Sequence, residues 1–192
     1  PRWTFGDGPD VVFLHGWPVH AATWRRVATR VASRYRVHLL DMPGVGHAAG
    51  WSGALGIEPN ARAIGEALDR FGLERFALVS HDSGGAIARI LSAERPDQVQ
   101  ALILGNTEIP GRPFPGLAVG QVLVSLPGAP FFTRQLARLK VWQRSRLGFG
   151  GAFGDPAFLE TDFRSWFIEP LQHDPAYVAA QLRFARELDW SF

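Results

Sequence analysis

The 192-residue sequence contains no cysteine, which excludes disulfide bonds and thiolate metal sites. It also lacks any run of 18 apolar residues, so no segment has the pattern of a membrane span. No charged stretch followed by an apolar core opens the chain, which begins at Pro1, and no secretory signal is visible. From these absences we expect a cytoplasmic protein that does not bind membranes.

Lysine is nearly absent as well, because Lys140 is the sole example. The 20 basic residues are therefore almost all arginines, and they are scattered among 18 acidic residues to give a net charge of +2. Such a balance does not favour a nucleic-acid partner, which would need clustered basic side chains. No internal repeat or low-complexity segment is present, and the hydrophobic content of 46% is enough for one proper core.

The first half of the chain alternates between strand-like and helix-like patterns. Apolar runs of the kind that buried parallel strands show are followed by apolar positions at helical spacing. Strands are predicted at 2–5, 11–14, 35–40, 76–79 and 99–104. One helix is predicted around 24–31, and another over 61–71 with Gly72 in its C-cap position. This alternation predicts an α/β fold with a mostly parallel sheet and right-handed crossovers.

The second half lacks clear strands. The pattern changes at Asn106, three prolines fall between positions 109 and 116, and aromatic residues become frequent. Helices are predicted at 117–126, 131–147, 156–171 and 175–189, separated mainly by glycine and proline. The sequence therefore predicts two parts, an α/β core over 1–108 and a helical part over 109–192.

A strand-to-helix corner with the sequence Ser-His-Asp-Ser-Gly-Gly organises the first half. At such a corner the residues two before and two after the apex must be small, because strand and helix approach closely. With Asp82 at the apex these residues are Ser80 and Gly84, which both qualify. With Ser83 at the apex the earlier one is His81, whose imidazole fits poorly. The spacing favours Asp82, and an ordinary strand-to-helix turn is the alternative without function.

This corner resembles the nucleophile elbow of α/β-hydrolases in its aspartate version, as in epoxide hydrolases and haloalkane dehalogenases. His15-Gly16-Trp17-Pro18 is similar to the family's His-Gly-x-Pro motif. The resemblance implies a mostly parallel sheet with a helical cap inserted after the strand that follows the elbow. It also implies an oxyanion hole made by the backbone N–H groups of Trp17 and Ser83, and neither a metal nor an organic cofactor.

The choice of nucleophile decides the reaction. A carboxylate is already ionised at pH 7 and works best on an electrophilic sp3 carbon, such as that of an apolar epoxide or alkyl halide. The product would be an alkyl-enzyme ester that a histidine-activated water hydrolyses. Two alternatives stay open at this point: a serine esterase acting through Ser83, and a non-catalytic homologue that binds apolar ligands.

Two features depart from the aspartate subfamilies. Dehalogenases place a tryptophan directly after the nucleophile to hold the halide, whereas this chain has Ser83, although Trp17 could offer an N–H. Epoxide hydrolases protonate the opening ring with cap tyrosines, and the second half has one tyrosine, Tyr177. Tyr177 is therefore a candidate acid, with simple packing on an amphipathic helix as the alternative.

The remaining site residues follow from position. Glu108 is a candidate orienting acid just beyond the strand after the elbow, although by residue count Asn106 occupies the position where one dehalogenase branch keeps that acid. His15, Asp41 and His47 are expected to be structural. Substrate-binding residues are predicted from the oxyanion loop, the loop after the fifth strand and the cap aromatics: Trp17, Asn106, Phe131, Trp142 and Trp166.

One expected element has no counterpart in the sequence. The family's catalytic histidine follows the last strand, well past the cap, and so is expected beyond Phe192. Five strands also fall short of the family's eight, which would leave an open sheet edge after Leu104. We therefore expect the 192 residues to be part of a longer protein and to show no turnover alone. Neither the substrate nor the oligomeric state follows from the sequence.

Overall fold

The computed structural model describes residues 1–109 and 116–188, and its centre is one five-stranded sheet with the order β1-β3-β2-β4-β5. Strands β2 to β5 run parallel to one another, and β1 pairs with β3 in the antiparallel sense. The predicted α/β fold with a mostly parallel sheet is confirmed. The strands are β1 (Arg2–Phe5), β2 (Asp10–Leu14), β3 (Arg36–Leu40), β4 (Phe76–His81) and β5 (Val99–Gly105).

Helices cover both faces of this sheet. One face packs on α2 (Ile57–Arg70) and α3 (Ser83–Glu94), and the other packs on α1 (Arg25–Val31). Both faces of β2 are therefore buried, which explains why its sequence is a continuous apolar run. Gly72 follows α2 with a φ of 69°, as its predicted C-cap position requires. Short 3-10 turns at Ala21–Trp24 and Gly46–Ala48 complete the loops after β2 and β3.

Residues 116–188, called the helical segment here, contain no strand. Its α-helices are α4 (Leu117–Ser125), α5 (Ala129–Arg138), α6 (Lys140–Arg144), α7 (Glu169–His173) and α8 (Pro175–Glu187). The 3-10 turns Phe149–Ala152 and Pro156–Glu160 and the π-helical turn Arg164–Ile168 lie between α6 and α7. The division into domains at residue 108 stays a prediction, and the predicted helical residue 189 lies outside the described residues.

Two predicted helices, those at 131–147 and 156–171, are broken where the sequence showed no interruption. The helix predicted at 131–147 divides at Leu139, whose backbone is extended. The carbonyl of Ala137 there accepts hydrogen bonds from the side-chain amides of Gln143 and Gln172, both at 2.7 Å, which satisfy it without another helical turn. The predicted starts at 156 and 175 are confirmed, because Pro156 begins a 3-10 turn and Pro175 begins α8.

The helical segment has its own aromatic core and contacts the loops after β2 and β3. Phe163 packs on Phe149 and Phe167, with ring centroids 5.3 and 4.7 Å away. The indole N–H of Trp17 donates to the Gln181 carbonyl at 3.0 Å, and Arg183 donates to the Gly53 carbonyl at 2.7 Å. The segment is therefore held against the sheet edge where parallel strands end, which is the edge at which such sheets bind ligands.

The outer side of β5 is open in the part of the chain that the structure describes. The strand is last in the sheet order and exposes apolar side chains, with Ile103 at 57%. Helix α4 likewise exposes Val119, Val122 and Leu123. This agrees with the sheet edge that the sequence predicts to be open. Among the described residues, no helix combines the length and apolar character needed to cross a membrane.

Candidate active site

The turn between β4 and α3 holds Asp82 in a rare backbone conformation. Its φ of 52° and ψ of −140° lie outside the regions that non-glycine residues usually occupy. The small neighbours are required by close contacts. A Cβ on Gly84 would lie 2.2 Å from the His15 carbonyl oxygen, and Ser80 is buried. The strained residue at the apex is therefore Asp82, while Ser83 is the first residue of α3.

Two backbone N–H groups converge on one oxygen of the Asp82 carboxylate. Trp17 donates to Asp82 Oδ1 at 2.9 Å, and Ser83 donates to the same oxygen at 2.6 Å. Gly16 allows this approach, because a Cβ there would lie 2.3 Å from the Asp82 Cβ. Within the described residues Asp82 Oδ2 has no hydrogen-bond partner. The two donors named from the sequence thus point at one carboxylate oxygen and leave the other free.

The Ser83 hydroxyl is less accessible than the Asp82 carboxylate. Ser83 is fully buried, whereas Asp82 is half-buried. The Trp17 N–H, which donates to Asp82 Oδ1 at 2.9 Å, also donates to Ser83 Oγ at the longer distance of 3.1 Å. In the described part of the chain, no histidine or carboxylate hydrogen-bonds this hydroxyl, which would need a base to become nucleophilic.

The loop after β5 supports the turn from the other side. The Asn106 carbonyl accepts the Asp82 N–H at 3.2 Å, and Thr107 Oγ donates to the Asp82 carbonyl at 2.9 Å. Glu108 Oε2 lies 3.1 Å from the same Thr107 hydroxyl. Burial, with a smaller contribution from the nearby Asp82 charge, raises the pKa of Glu108. Sequence reasoning gave Thr107 no role, although it lies in a loop expected to meet Asp82.

Thr107 also explains a glycine in α3. A Cβ on Gly85 would lie 2.3 Å from the Thr107 hydroxyl oxygen, so the second glycine of the corner leaves room for the side chain that supports Asp82. A doubled glycine just after the apex was therefore the available signal. It indicates that two different chain segments approach the start of the helix, but it does not name them.

His15 has both ring nitrogens engaged. Nδ1 lies 3.0 Å from the Gly16 carbonyl and Nε2 accepts the Met42 N–H at 2.9 Å, which assigns the proton to Nδ1. Burial lowers the pKa of His15 to about 4, with the Asp41 charge acting in the opposite direction. The side chain therefore connects two strand ends as a neutral group, in agreement with the expected structural role.

In the part of the chain that the structure describes, the other nearby histidine, His81, does not hydrogen-bond the carboxylate of Asp82. Its ring packs edge-on against Trp24, with centroids 5.0 Å apart, and burial lowers its pKa. Among the residues that the structure describes, no histidine hydrogen-bonds Asp82 or Glu108. The described residues thus place a carboxylate between two backbone N–H donors, with no histidine hydrogen-bonded to it.

Trp17 and Tyr177 lie where the loop after β2 meets the helical segment. The Trp17 indole N–H is used by the Gln181 carbonyl, so it is not free to hold a halide in this conformation. The Tyr177 hydroxyl lies 3.5 Å from the Pro18 carbonyl, and burial raises the pKa of Tyr177. The nearby side-chain amide of Gln181 opposes this increase in the Tyr177 pKa. Neither polar atom of that amide has a hydrogen-bond partner among the described residues. Tyr177 is therefore a protonated phenol beside this loop.

The structure brings only part of the predicted substrate-binding set to the Asp82 turn. Trp17 and Asn106 lie there. Phe131 is 60% exposed and packs on a neighbouring phenylalanine, Trp142 packs inside the helical segment, and Trp166 packs on His20. No hydrogen bond or ring contact joins these three to the turn, so their substrate role stays a prediction.

The described residues contain no group of three or more histidine, aspartate or glutamate side chains positioned to hold a metal ion. The site combines two backbone N–H donors, a carboxylate that accepts from them and a phenol that carries a proton. These groups can stabilise negative charge on a carboxyl-derived oxygen and donate a proton. The chemistry available at the turn is therefore nucleophilic substitution or acyl transfer.

Comparison with known proteins places this arrangement in a family. The chain is 37% identical over 99 residues to the pimeloyl-[acyl-carrier protein] methyl ester esterase of Aeromonas hydrophila subsp. hydrophila, covering 52% of this chain and 38% of that protein. It is 35% identical over 103 residues to haloalkane dehalogenase 2 of Mycobacterium bovis, covering 53% of this chain and 36% of that protein.

The fold also matches solved structures. A ligand-free epoxide hydrolase superposes with a TM-score of 0.78 at 19% identity, over 97% of this chain and 68% of that one. The matches thus span well under half the length of the two sequence relatives. Residues 9–148 match the family described as the alpha/beta hydrolase fold, so the chain belongs to the α/β-hydrolase fold family.

Proposed function

We propose that these residues form the nucleophile-bearing part of a cytoplasmic hydrolase that attacks apolar epoxides or alkyl halides through Asp82. The observation that carries the proposal is the asymmetry of the carboxylate. Oδ1 accepts both backbone N–H groups, while Oδ2 has no partner among the described residues. A carboxylate held in this way keeps one oxygen available for attack and needs no base to activate it.

The first step would be substitution at carbon. Asp82 Oδ2 forms a bond to an sp3 carbon of the substrate, and the carbon–halogen or epoxide carbon–oxygen bond breaks with its electron pair. A halide leaves as the anion. An epoxide oxygen takes a proton, for which Tyr177 is the candidate donor because burial keeps its hydroxyl protonated. The result in both cases is an ester on Asp82.

The second step would hydrolyse that ester. Water attacks the carboxyl carbon of Asp82, and negative charge develops on Oδ1. The Trp17 and Ser83 N–H groups already point at this oxygen, and each such donor contributes roughly 3 kcal/mol to stabilising the charge. The water needs a base, which the family resemblance assigns to a histidine beyond Phe192. Glu108 is a candidate orienting acid for it.

A serine esterase acting through Ser83 is the second candidate, and the match to a methyl ester esterase favours it. In this case Ser83 Oγ would attack an ester carbonyl. The burial of Ser83 and the distance of 3.1 Å between its Oγ and the Trp17 N–H argue against it, since that hydroxyl points toward an oxyanion donor. A homologue that binds apolar ligands without chemistry is a third reading.

Mass spectrometry after trapping separates these functions. The chain is incubated in separate reactions with styrene oxide, 1-bromobutane and p-nitrophenyl butyrate, then digested and sequenced by tandem mass spectrometry. We expect an alkyl ester on Asp82 with one of the first two reagents. It should accumulate, because the described residues supply no base for its hydrolysis.

Three variants act as controls. Asp82→Asn should abolish the adduct, Ser83→Ala should retain it, and Asp97→Asn, at an exposed carboxylate, should not affect it. An acyl group on Ser83 from p-nitrophenyl butyrate would establish the esterase instead. Apolar ligand binding that Asp82→Asn does not change, with no adduct from any reagent, would identify the non-catalytic homologue.

A further inference from the structure

A cavity of about 350 Å³ lies between the helical segment and the antiparallel edge of the sheet. It is called the second cavity here because it is separate from the candidate active site. Its walls come from β1, β3, α1, the loops after β2 and β3, and the turn Arg164–Ile168. Trp3, Phe5, Leu39 and Trp166 form most of its apolar lining. Asp82, Trp17 and Ser83 do not line it, so it is separate from the candidate active site. Its volume falls in the range of small-molecule sites.

Two tryptophan rings on this cavity are unusually exposed. Trp3 exposes 37% and Trp166 exposes 41% of its surface. The ring of Trp3 packs edge-on against His47 at 5.0 Å, and that of Trp166 tilts against His20 at 5.7 Å. A histidine thus holds each tryptophan in place, one in β1 and the other in the helical segment. A flat ring entering the cavity would remove apolar surface of both from water.

The charges around the cavity are already paired. Arg25 donates from Nε to Asp162 at 2.6 Å and from Nη1 to the Ala22 carbonyl at 3.0 Å, and Arg26 donates to the same Asp162 at 3.0 Å. The Asp41 carboxylate, which contacts the lining residue His47, accepts the Ala21 N–H and both the backbone and the Nδ1 N–H of His47. Among the described residues that line the cavity, Arg25 carries a permanent charge, and its ion pair with Asp162 neutralises it, so a neutral ligand fits best.

One hydrogen-bond acceptor of the cavity lining, on His47, has no donor among the described residues. His47 Nδ1 lies 3.0 Å from Asp41 Oδ2, and because a carboxylate oxygen only accepts hydrogen bonds, Nδ1 carries the proton in the tautomer with one N–H. Nε2 of His47 then carries a lone pair, and no described residue donates to it. Both nitrogens of His20, by contrast, are used, by the Ala22 N–H and the Trp166 carbonyl.

We propose that this cavity binds a neutral aromatic molecule with one N–H or O–H donor, held between Trp3 and Trp166 and hydrogen-bonded to His47 Nε2. The ligand would touch the sheet through Trp3 and the helical segment through Trp166. Its binding would therefore stabilise the contact between these two parts of the chain.

Indole and benzofuran provide a matched pair of probes, because the two bicyclic rings have nearly the same size and only indole carries an N–H. The protein is labelled with 5-fluorotryptophan, and its ¹⁹F signals are assigned by replacing the tryptophans one at a time with phenylalanine. At pH 8 indole should shift the Trp3 and Trp166 signals saturably and leave that of Trp142 in place. Benzofuran should bind about fivefold more weakly, because it lacks the donor.

Two substitutions on α1 complete the test. Thr29→Phe fills the cavity, which Thr29 lines, and should abolish the indole shifts. Arg30→Phe adds the same ring at an exposed position outside the lining and should leave them unchanged. Unmoved Trp3 and Trp166 signals in the wild type, or equal indole binding by Thr29→Phe, would overturn the site. Equal affinity for indole and benzofuran would overturn the role of His47.

Discussion

At the scale of single residues, the position of the Asp82 carboxylate depends on the absence of one methyl group. Gly16 lies so close that a Cβ there would be 2.3 Å from the Asp82 Cβ and 2.6 Å from its Oδ1. The Trp17 N–H could not then reach that oxygen without a shift. The glycine of the His-Gly-Trp-Pro motif is thus explained by the approach of two loops.

Gly16→Ala should therefore reduce the free energy of unfolding by about 1–3 kcal/mol, as overpacking of a tight site does. It should also slow formation of the Asp82 adduct, because the carboxylate moves away from its two donors. Urea unfolding and the trapping reaction measure the two effects. Gly50→Ala is the matched control, since a Cβ there meets nothing within 4 Å. Equal behaviour of the two variants would contradict this account of the motif.

His15 makes stability depend on pH. Its pKa of about 4 in the folded protein lies below the ordinary value of 6.5, because burial opposes the charge. Between these values the unfolded chain binds a proton that the folded chain does not. The free energy of unfolding is thus highest above pH 6.5 and should fall by up to roughly 3 kcal/mol as the pH decreases to 4.

His15→Gln removes this titration. It should be less stable than the wild type at pH 7.5, because the Met42 N–H loses its partner, and the difference should shrink toward pH 4. Urea unfolding at several pH values gives the comparison. His173→Gln, at an exposed position, should follow the wild type throughout. A constant difference between His15→Gln and the wild type would refute the proton linkage.

At the scale of elements, the contact of α3 with the end of β5 determines how the Asp82 turn is supported. Thr107 fits against Gly85, and its hydroxyl donates to the Asp82 carbonyl. The helix start, the strained residue and the loop after β5 therefore form one unit. A substitution where α3 contacts the loop after β5 should therefore affect the Asp82 turn, even if it removes no polar group.

Gly85→Ala and Gly120→Ala make this testable, because both glycines lie in helices and alanine is the better helix former. At Gly120 a Cβ meets nothing within 4 Å, and the substitution should raise the free energy of unfolding by about 0.5–1 kcal/mol. At Gly85 the Cβ would lie 2.3 Å from Thr107 Oγ, so the same substitution should lower it by about 1–3 kcal/mol. Urea unfolding measures whether each substitution raises or lowers the free energy of unfolding. A higher free energy of unfolding for Gly85→Ala would show that α3 is not closely packed at this position.

Element boundaries in the helical segment illustrate the limits of local patterns. The interruption at Leu139 has no proline or glycine to announce it, since it depends on amides from Gln143 and Gln172 that reach the Ala137 carbonyl. The four parallel strands were predictable because each is a largely apolar run with turn residues at its ends, and β1 was predicted as an edge strand. Local spacing thus located strands well and helix ends poorly, because distant side chains can complete a helix end.

At the scale of the whole molecule, the candidate site is incomplete in one respect. Asp82, its two N–H donors and a phenol are present, but no histidine among the described residues is placed to activate water. We therefore expect no steady turnover by the 192-residue chain. If 1-bromobutane is the reagent that alkylates Asp82, a stoichiometric burst of halide release followed by a plateau should be seen instead.

Halide release is followed over many equivalents of substrate, with Asp82→Asn as the control that should release none. Continuous release at many turnovers per chain by the wild type would disprove the expectation that these residues lack the base. The indole test of the second cavity is independent of this result, because its readout is a tryptophan signal and requires no reaction at Asp82.

The sequence by itself determined the sheet, its parallel sense and the corner at Asp82, because apolar runs, helical spacing and small-residue positions are properties of short stretches. It also named Trp17 and Ser83, through the resemblance of two short motifs. Only the tertiary structure decided that Thr107 supports the turn, that the Trp17 indole is used by Gln181, and that two tryptophans from opposite ends of the chain share one cavity. Those features join residues far apart along the chain, and no local pattern records which distant side chains will meet.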